Sequence, residues 1–177
     1  MIRRAVLALI VALPLFAQQE SGKIVDLQFK VIDLDFHQQD VAGIVQDLAV
    51  KETNTEVQID LNADVLFDFD KADVLPKAEE TLSKAAGIIK ERGPKGNVRV
   101  EGHTDGKGDD NYNAKLSLRR ADSVRNWFVQ KGGLSGVNFT TQGFGKTQPI
   151  APNTNPDGSD NPDGRAKNRR VTIVMSK

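Results

Sequence analysis

Residues 97–133 read NVRVEGHTDGKGDDNYNAKLSLRRADSVRNWFVQKGG, and the pattern changes character within that stretch. Asn97 to Gly102 alternates, with Val98 and Val100 in one phase, which predicts a short half-buried strand. A polar, glycine-containing segment follows. From about Tyr112 to Lys131 the period becomes helical, with Ala114, Leu118, Ala121, Val124 and Phe128 as the apolar stripe and Gly132-Gly133 as the stop. A strand that passes through a polar loop into a long amphipathic helix is half of a strand–helix–strand unit.

The flanking segments complete the unit. Thr55 to Phe67 alternates through Val57, Ile59, Leu61, Ala63, Val65 and Phe67, so it reads as one long strand. Glu52-Thr53-Asn54 can turn a hairpin into it. Pro76 fits a first helical turn, with Glu79 and Glu80 near the positive helix end. Leu75, Ala78, Leu82, Ala85, Ile88 and Ile89 form that helix's stripe, and Gly93-Pro94 stops it. Val137–Gln142 reads as a strand and Arg169–Met175 as the last one. Between them, 143–164 reads as a long loop in which Asn155-Pro156-Asp157-Gly158 and Asn161-Pro162-Asp163-Gly164 are tandem turns. The expected fold class is α+β: a two-layer α/β sandwich, β-α-β-α-β-β, with a mixed sheet and two main helices on one face.

Toward the N-terminus the character differs. Arg3 and Arg4 precede an apolar run, Ala5–Phe16, and a small residue, Ala17. The run is about half of the roughly 20 residues that a membrane-crossing helix needs, so 1–17 reads as a cleaved secretory signal. Cleavage there leaves 22 basic against 24 acidic residues and no later stretch apolar enough to span a membrane as a helix. Residues 18–54 form an N-terminal extension of strand or hairpin character. Val25, Leu27, Phe29 and Val31 share a phase that shifts at Ile32, Leu34 and Phe36, whereas Val41–Leu48 fits strand and helix equally. The strand-like alternation and the two phenylalanines predict that this extension folds onto the domain at 55–177. With a formal net charge of zero over 177 residues, no basic field exists to hold nucleic acid. The absence of cysteine rules out disulfides and a cysteine-linked lipid anchor.

Gly102-His103-Thr104-Asp105, followed by Tyr112-Asn113, Leu116-Ser117 and Arg119-Arg120-Ala121, resembles the signature of the OmpA-like peptidoglycan-binding domain. Phe67-Asp68-Phe69-Asp70-Lys71, Gln142-Gly143-Phe144-Gly145, Pro149-Ile150-Ala151 and Gly164-Arg165 with Asn168-Arg169-Arg170-Val171 match further blocks in family order. The resemblance spans about Thr55 to Lys177. That family includes outer-membrane porin-like proteins, peptidoglycan-associated lipoproteins and flagellar stator subunits. The chain departs from each: it is too short for an eight-stranded barrel at about ten residues per strand beside this domain, and it has neither a lipidation cysteine nor a stator-type transmembrane helix.

The resemblance implies non-covalent binding of the diaminopimelate-containing stem peptide of peptidoglycan, in the periplasm of a Gram-negative-type bacterium and in association with the cell wall and outer membrane. Outer-membrane or envelope proteins are further partners it admits. It assigns Asp105 to the ammonium and Arg120 to the carboxylate of the diaminopimelate side chain. From spacing alone the same pair reads as an internal salt bridge or as two surface charges. At 100° per residue Arg119 lies almost opposite the stripe, whereas Arg120 lies about 90° from its centre, on the flank. A guanidinium also forks onto a carboxylate as lysine cannot. Thr104 and Asn113 match positions lining the same pocket and serve equally well as caps; Asp68 and Asn168 are similar cases. Arg169 matches an arginine near the bound peptide and otherwise reads as a solvated strand-start charge. Lys107 stands where some relatives have threonine.

Catalysis and metal binding have little support. His37 and His103 are the only histidines, no third ligand accompanies His103 and Asp105 at metal spacing, and no serine lies in a nucleophile elbow. Asp157, Asp160 and Asp163 could ligate calcium, but no acidic residue follows to complete a hand-like loop, and paired turns explain the composition. Neither a cofactor nor a metal is expected. The competing reading is an envelope scaffold or adhesin that binds a protein partner through residues 18–54.

Overall fold

The strand β2, Glu56–Asn62, buries every second side chain, and this alternation organises the layers. In the computed structural model, residues 47–92 and 96–177 are described. The signal segment 1–17, the strand readings over 23–36, the start of the 41–48 segment and the Gly93-Pro94 stop lie outside them. β1, Leu48–Glu52, pairs antiparallel with β2. The hairpin turns where the sequence places it: Thr53 N–H donates to Glu56 O at 2.9 Å, and Glu56 N–H donates to Thr53 Oγ1 at 3.0 Å.

Three more strands complete the sheet: β3 (Val98–His103), β4 (Phe139–Gly145) and β5 (Arg170–Ser176), in the order β1-β2-β5-β3-β4. Among the described strands only β3 and β4 pair in parallel. The register stacks apolar side chains in rows across three strands. Val57, Met175 and Val98 form one row; Ile59, Ile173 and Val100 form the next. All six are essentially inaccessible to solvent, and each fully buried aliphatic of this size contributes roughly 1.5–3 kcal/mol. Two helices cover this face: α2 (Glu79–Arg92), entered through a 3₁₀ turn at Pro76–Ala78, and α3 (Asp110–Gln130). Leu82, Ala85 and Ile89 of α2 join Ala121, Val124 and Phe128 of α3 in the core. The expected α+β sandwich is therefore what forms.

Three expectations need correction. The alternation through Phe67 does not describe one strand. Asn62 accepts from Asp64 N–H at 2.9 Å, caps a single turn, α1 (Ala63–Leu66), and takes the chain out of the sheet. On α3, Ala114 and Leu118 are exposed, and the buried face instead runs through Asn113, Leu116, Ser117, Arg120, Ala121, Val124, Trp127 and Phe128. The cause is contact between backbones. Gly102 of β3 and Gly143 of β4 are register partners, and a Cβ on Gly102 would stand 1.9 Å from Ser117 O. Only glycine lets the helix lie this close, and the close approach turns α3 about its axis. Finally, 143–164 is not one loop, because β4 reaches Gly145 and Asn161-Pro162-Asp163-Gly164 opens a helix, α4 (Pro162–Asn168). Asn161 accepts from Gly164 N–H at 2.8 Å and Pro162 occupies the first turn, so this motif is a cap where Asn155–Gly158 is a turn.

Candidate functional site

One end of the sheet collects the polar residues. β2 and β3 finish there and the antiparallel β5 begins there, its first residue, Arg170, paired with both Asn62 and His103. The residues just beyond this row therefore converge: Asp64 after β2, Thr104 and Asp105 after β3, and Arg169 before β5. With the first turns of α3 they border a cavity of about 790 Å³.

Asp105 is nearly buried, and both of its oxygens accept hydrogen bonds. Its Oδ1 accepts from Lys107 N–H at 3.0 Å; its Oδ2 accepts from Arg169 Nη1 at 2.8 Å and, more weakly, from Arg165 Nη1 at 3.4 Å. Burial acts to raise its pKa, but these donors outweigh burial and hold the carboxyl below the ordinary value. Arg169 also forks onto Asp64, at 2.8 and 2.6 Å, so one guanidinium bridges two acids. The Asp64 fork comes first among the causes that keep Arg169 protonated far beyond neutral pH. Arg165 is held in turn by Asp160, at 2.9 and 2.6 Å.

Arg120 is the opposite case. It sits on the buried face of α3, at 6% exposure, not on the flank as the wheel predicts, while Arg119 is exposed as expected. Its Nε donates to Lys71 O at 2.9 Å, and its guanidinium carbon lies 5.2 Å from the centroid of the Phe67 ring. Among the described residues neither Nη has a hydrogen-bond partner and no carboxylate lies within ion-pair distance. Burial accordingly lowers its pKa below the usual guanidinium value. Asp105 and Arg120 both line the cavity without pairing with each other, so the internal salt bridge that spacing allows is not formed.

Of the other expected site residues, Thr104, Asn113, Asp68 and Arg169 also line the cavity. Neither Thr104 nor Asn113 is a cap. Asp109 caps α3, accepting from Tyr112 N–H at 3.1 Å, while Asn113 Nδ2 holds the Lys107 carbonyl at 2.8 Å and so shapes the 105–109 loop. Asn168 is not brought to the cavity. It is wholly buried and spends its amide on the chain: Oδ1 accepts from Ile150 and Ala151 N–H at 2.8 and 3.0 Å, and Nδ2 donates to Ala151 O and Asn153 Oδ1 at 2.8 and 3.0 Å. Asp157, Asp160 and Asp163 do separate work: Asp157 accepts from Ser159, Asp160 grips Arg165, and Asp163 sits in the first turn of α4.

Several cavity residues were not predicted: Asp64, Phe69, Lys77, Tyr112 and Arg165. Arg165 and Arg169 lie four apart, a spacing that would have flagged them had α4 been read as a helix. Phe69 is 97% exposed, on a turn closed by Lys71 N–H to Asp68 O at 3.1 Å. Asp70 adopts φ 63° there, its carboxylate holding the Tyr112 hydroxyl. A turn with a left-handed non-glycine residue, pinned to α3 through Tyr112 and Arg120, carries an aromatic ring that packs against nothing.

A family model described as OmpA family matches residues 66–163. The chain is 41% identical over 108 residues to outer membrane porin F of Pseudomonas aeruginosa, covering 61% of this chain and 29% of that protein. It is 36% identical over 136 residues to outer membrane protein A of Bordetella avium, covering 77% and 66%. Among solved structures it is similar to the cell wall anchor of the T6SS from Pseudomonas aeruginosa, with 32% identity, a TM-score of 0.61, and coverage of 74% of this chain and 88% of that one. The chain spans less than a third of the length of the first curated relatives it matches.

Proposed function

The chain belongs to the OmpA family, and from that premise we propose that it binds peptidoglycan non-covalently in the periplasm, taking the diaminopimelate-containing stem peptide into the Asp105–Arg120 cavity. The role is to associate the cell wall with the outer-membrane side of the envelope. The observation that carries this reading is the buried Arg120 guanidinium, which lines an open cavity with neither Nη paired. Burying a cation without a counter-charge is costly, and a ligand carboxylate repays that cost by forking onto the two free Nη groups. The opposite pole is Asp105. A carboxylate has about four acceptor directions; three are used, and the remaining one, on Oδ1, takes the ligand's ammonium without displacing Arg169. A side chain ending in both charges satisfies both poles at once. The site holds its acid and its guanidinium as binding poles, and the reading is of a binder, not an enzyme. The names of the relatives, an outer membrane porin and a cell wall anchor, agree with it.

Co-sedimentation with purified sacculi tests the proposal. The wild-type protein is expected in the pellet and Asp105→Asn and Arg120→Lys in the supernatant, all three with the same fold by circular dichroism. Wild-type protein that stays in the supernatant refutes it, as does release of muropeptides, which would make the domain an enzyme.

A further inference from the structure

The charges around the cavity do not balance, and the imbalance has a location. Each acid lining the cavity already has a hydrogen-bond donor, cationic for Asp64, Asp68 and Asp105 and neutral for Asp70. Asp64 holds Arg169, Asp105 holds Arg169 and Arg165, Asp68 is 3.3 Å from Lys71 Nζ, and Asp70 accepts from the Tyr112 hydroxyl. The cations divide differently. Arg165 and Arg169 are taken, and Lys107 Nζ lies 3.7 Å from Asp160. Two cations lining the cavity have no anionic partner among the described residues: Arg120 and Lys77. Lys77 is exposed, and it stands at the centre of the 3₁₀ turn Pro76–Ala78 that leads into α2. It is thus fixed at its backbone, while its side chain carries a charge that the protein leaves unanswered.

We infer that Lys77 is a second carboxylate-recognition residue, and that the ligand this cavity selects carries two carboxylates, one for Arg120 and one for Lys77. The inference rests on the stem-peptide reading and narrows it. A stem peptide can present the second carboxylate at its D-glutamate α-carboxyl or at its C-terminal residue. The two sources share one chemistry and differ in which amidation removes it. The two cations also act differently. Arg120 is shielded, so salt screens its contact weakly; Lys77 is in water, so its contribution falls steeply as salt rises.

The test is calorimetric titration of full-length wild-type protein and Lys77→Ala with three synthetic diaminopimelate tetrapeptides: unmodified, amidated at the D-glutamate α-carboxyl, and amidated at the C-terminus. Lys77 is exposed, so the variant folds, and its melting temperature is checked alongside. Lys77→Ala is expected to bind the unmodified peptide roughly three- to fivefold more weakly at low salt. One of the two amidated peptides should bind wild type and variant equally, because its second carboxylate is gone, and that peptide names the source. The difference between the proteins should vanish at high salt. If the variant equals wild type on the unmodified peptide, or is weakened alike on all three, the second site is overturned and the Arg120 pole stands. If wild type binds none of the peptides, the stem-peptide reading fails and this inference fails with it.

Discussion

Arg169 Nη1 donates to Asp105 Oδ2 at 2.8 Å, so the acid that the sequence pairs with Arg120 is held by a different arginine. The Asp64 fork keeps Arg169 in place, and Arg169 joins Lys107 N–H and Arg165 in holding the Asp105 carboxyl below its ordinary value against burial. Arg169→Gln removes one of the donors that lower the Asp105 pKa while burial, which raises it, remains. The Asp105 pKa should therefore move up. Carboxylate carbon chemical shifts followed through an acid titration measure it, and an unchanged midpoint would show that Lys107 N–H and Arg165 suffice to set the value.

The two poles should be separable by conservative substitution. Asp105→Asn keeps shape and removes charge; Arg120→Lys keeps charge and removes the fork. Each hydrogen bond to a charged group is worth about 1.5–3 kcal/mol, so each variant should bind diaminopimelate stem peptide on the order of tenfold to a hundredfold more weakly. Arg119→Ala should bind as wild type does, because that side chain is exposed on the outer face of α3. Affinities of the three variants, with melting temperatures as a control, decide the assignment. A defect confined to Arg119→Ala would move the pole to the neighbouring residue.

Phe69 contributes almost nothing to the folded state, being 97% exposed. Phe69→Ala should leave the melting temperature within about 2 °C, because surface substitutions of this kind change stability by less than roughly 0.5 kcal/mol. It should still weaken binding, since the ring stands at the cavity and gains an apolar contact only when ligand arrives. Equal affinity of variant and wild type would leave the pinned Asp68–Lys71 turn without a role in binding.

His103 predicts a dependence on acid. Its ring is 1% exposed, stacks on Phe144 with centroids 5.3 Å apart, and has no hydrogen-bond partner at either nitrogen among the described residues. Burial, assisted by the nearby Arg170 charge, lowers its pKa to about 4. The unfolded chain protonates near the ordinary value of about 6.5. Stability is therefore complete above that value and falls as the pH drops toward about 4, because only the unfolded chain gains the proton. The loss is on the order of 2–3 kcal/mol. Denaturant melts of wild type and His103→Phe between pH 7 and 4 isolate it, since the carboxylates contribute equally to both. Parallel curves would mean that the imidazole titrates normally in the folded state.

Asn168 is expected to matter for folding and not for the ligand directly. Asn168→Ala removes a wholly buried acceptor from the part-buried Ile150 and Ala151 N–H groups, at a cost of about 1–3 kcal/mol. Peptide affinity measured well below the new melting temperature should be retained. Loss of affinity in a protein still fully folded would return Asn168 to the site.

The sheet and both main helices are legible because alternation and helical stripes survive averaging over many residues. Val57, Ile59 and Leu61 announce β2, and Leu82, Ala85 and Ile89 announce α2. What is lost is decided by single residues. Asn62 ends β2 by capping a turn, although the apolar phase continues through Ala63, Val65 and Phe67. Asn161 does the same for α4, behind a motif identical in sequence to a true turn six residues earlier. The orientation of α3 depends on Gly102 and Gly143 in other strands, which no window along the helix contains. The site shows the same division. Asp105, Arg120, Asn113, Thr104, Asp68 and Arg169 are named by motif, and all reach the cavity. That Asp105 is pre-paired and Arg120 is not depends on Asp64, Arg165 and Arg169 meeting from three elements, a fact available only once the strands are in register.

The sheet order places β5 in the middle, between β2 and β3, although it is the last strand in the chain. Synthesis therefore delivers the keystone after the four strands it joins. A nascent chain ending before Arg170 holds two inner strands with no mate between them and an Arg169 with no fixed place against Asp64 or Asp105. Its half-built sheet has unpaired backbone edges that other chains can join. Competence to hold a ligand and protection from aggregation thus arrive together, with the seven residues of β5, and a fragment that lacks them has neither.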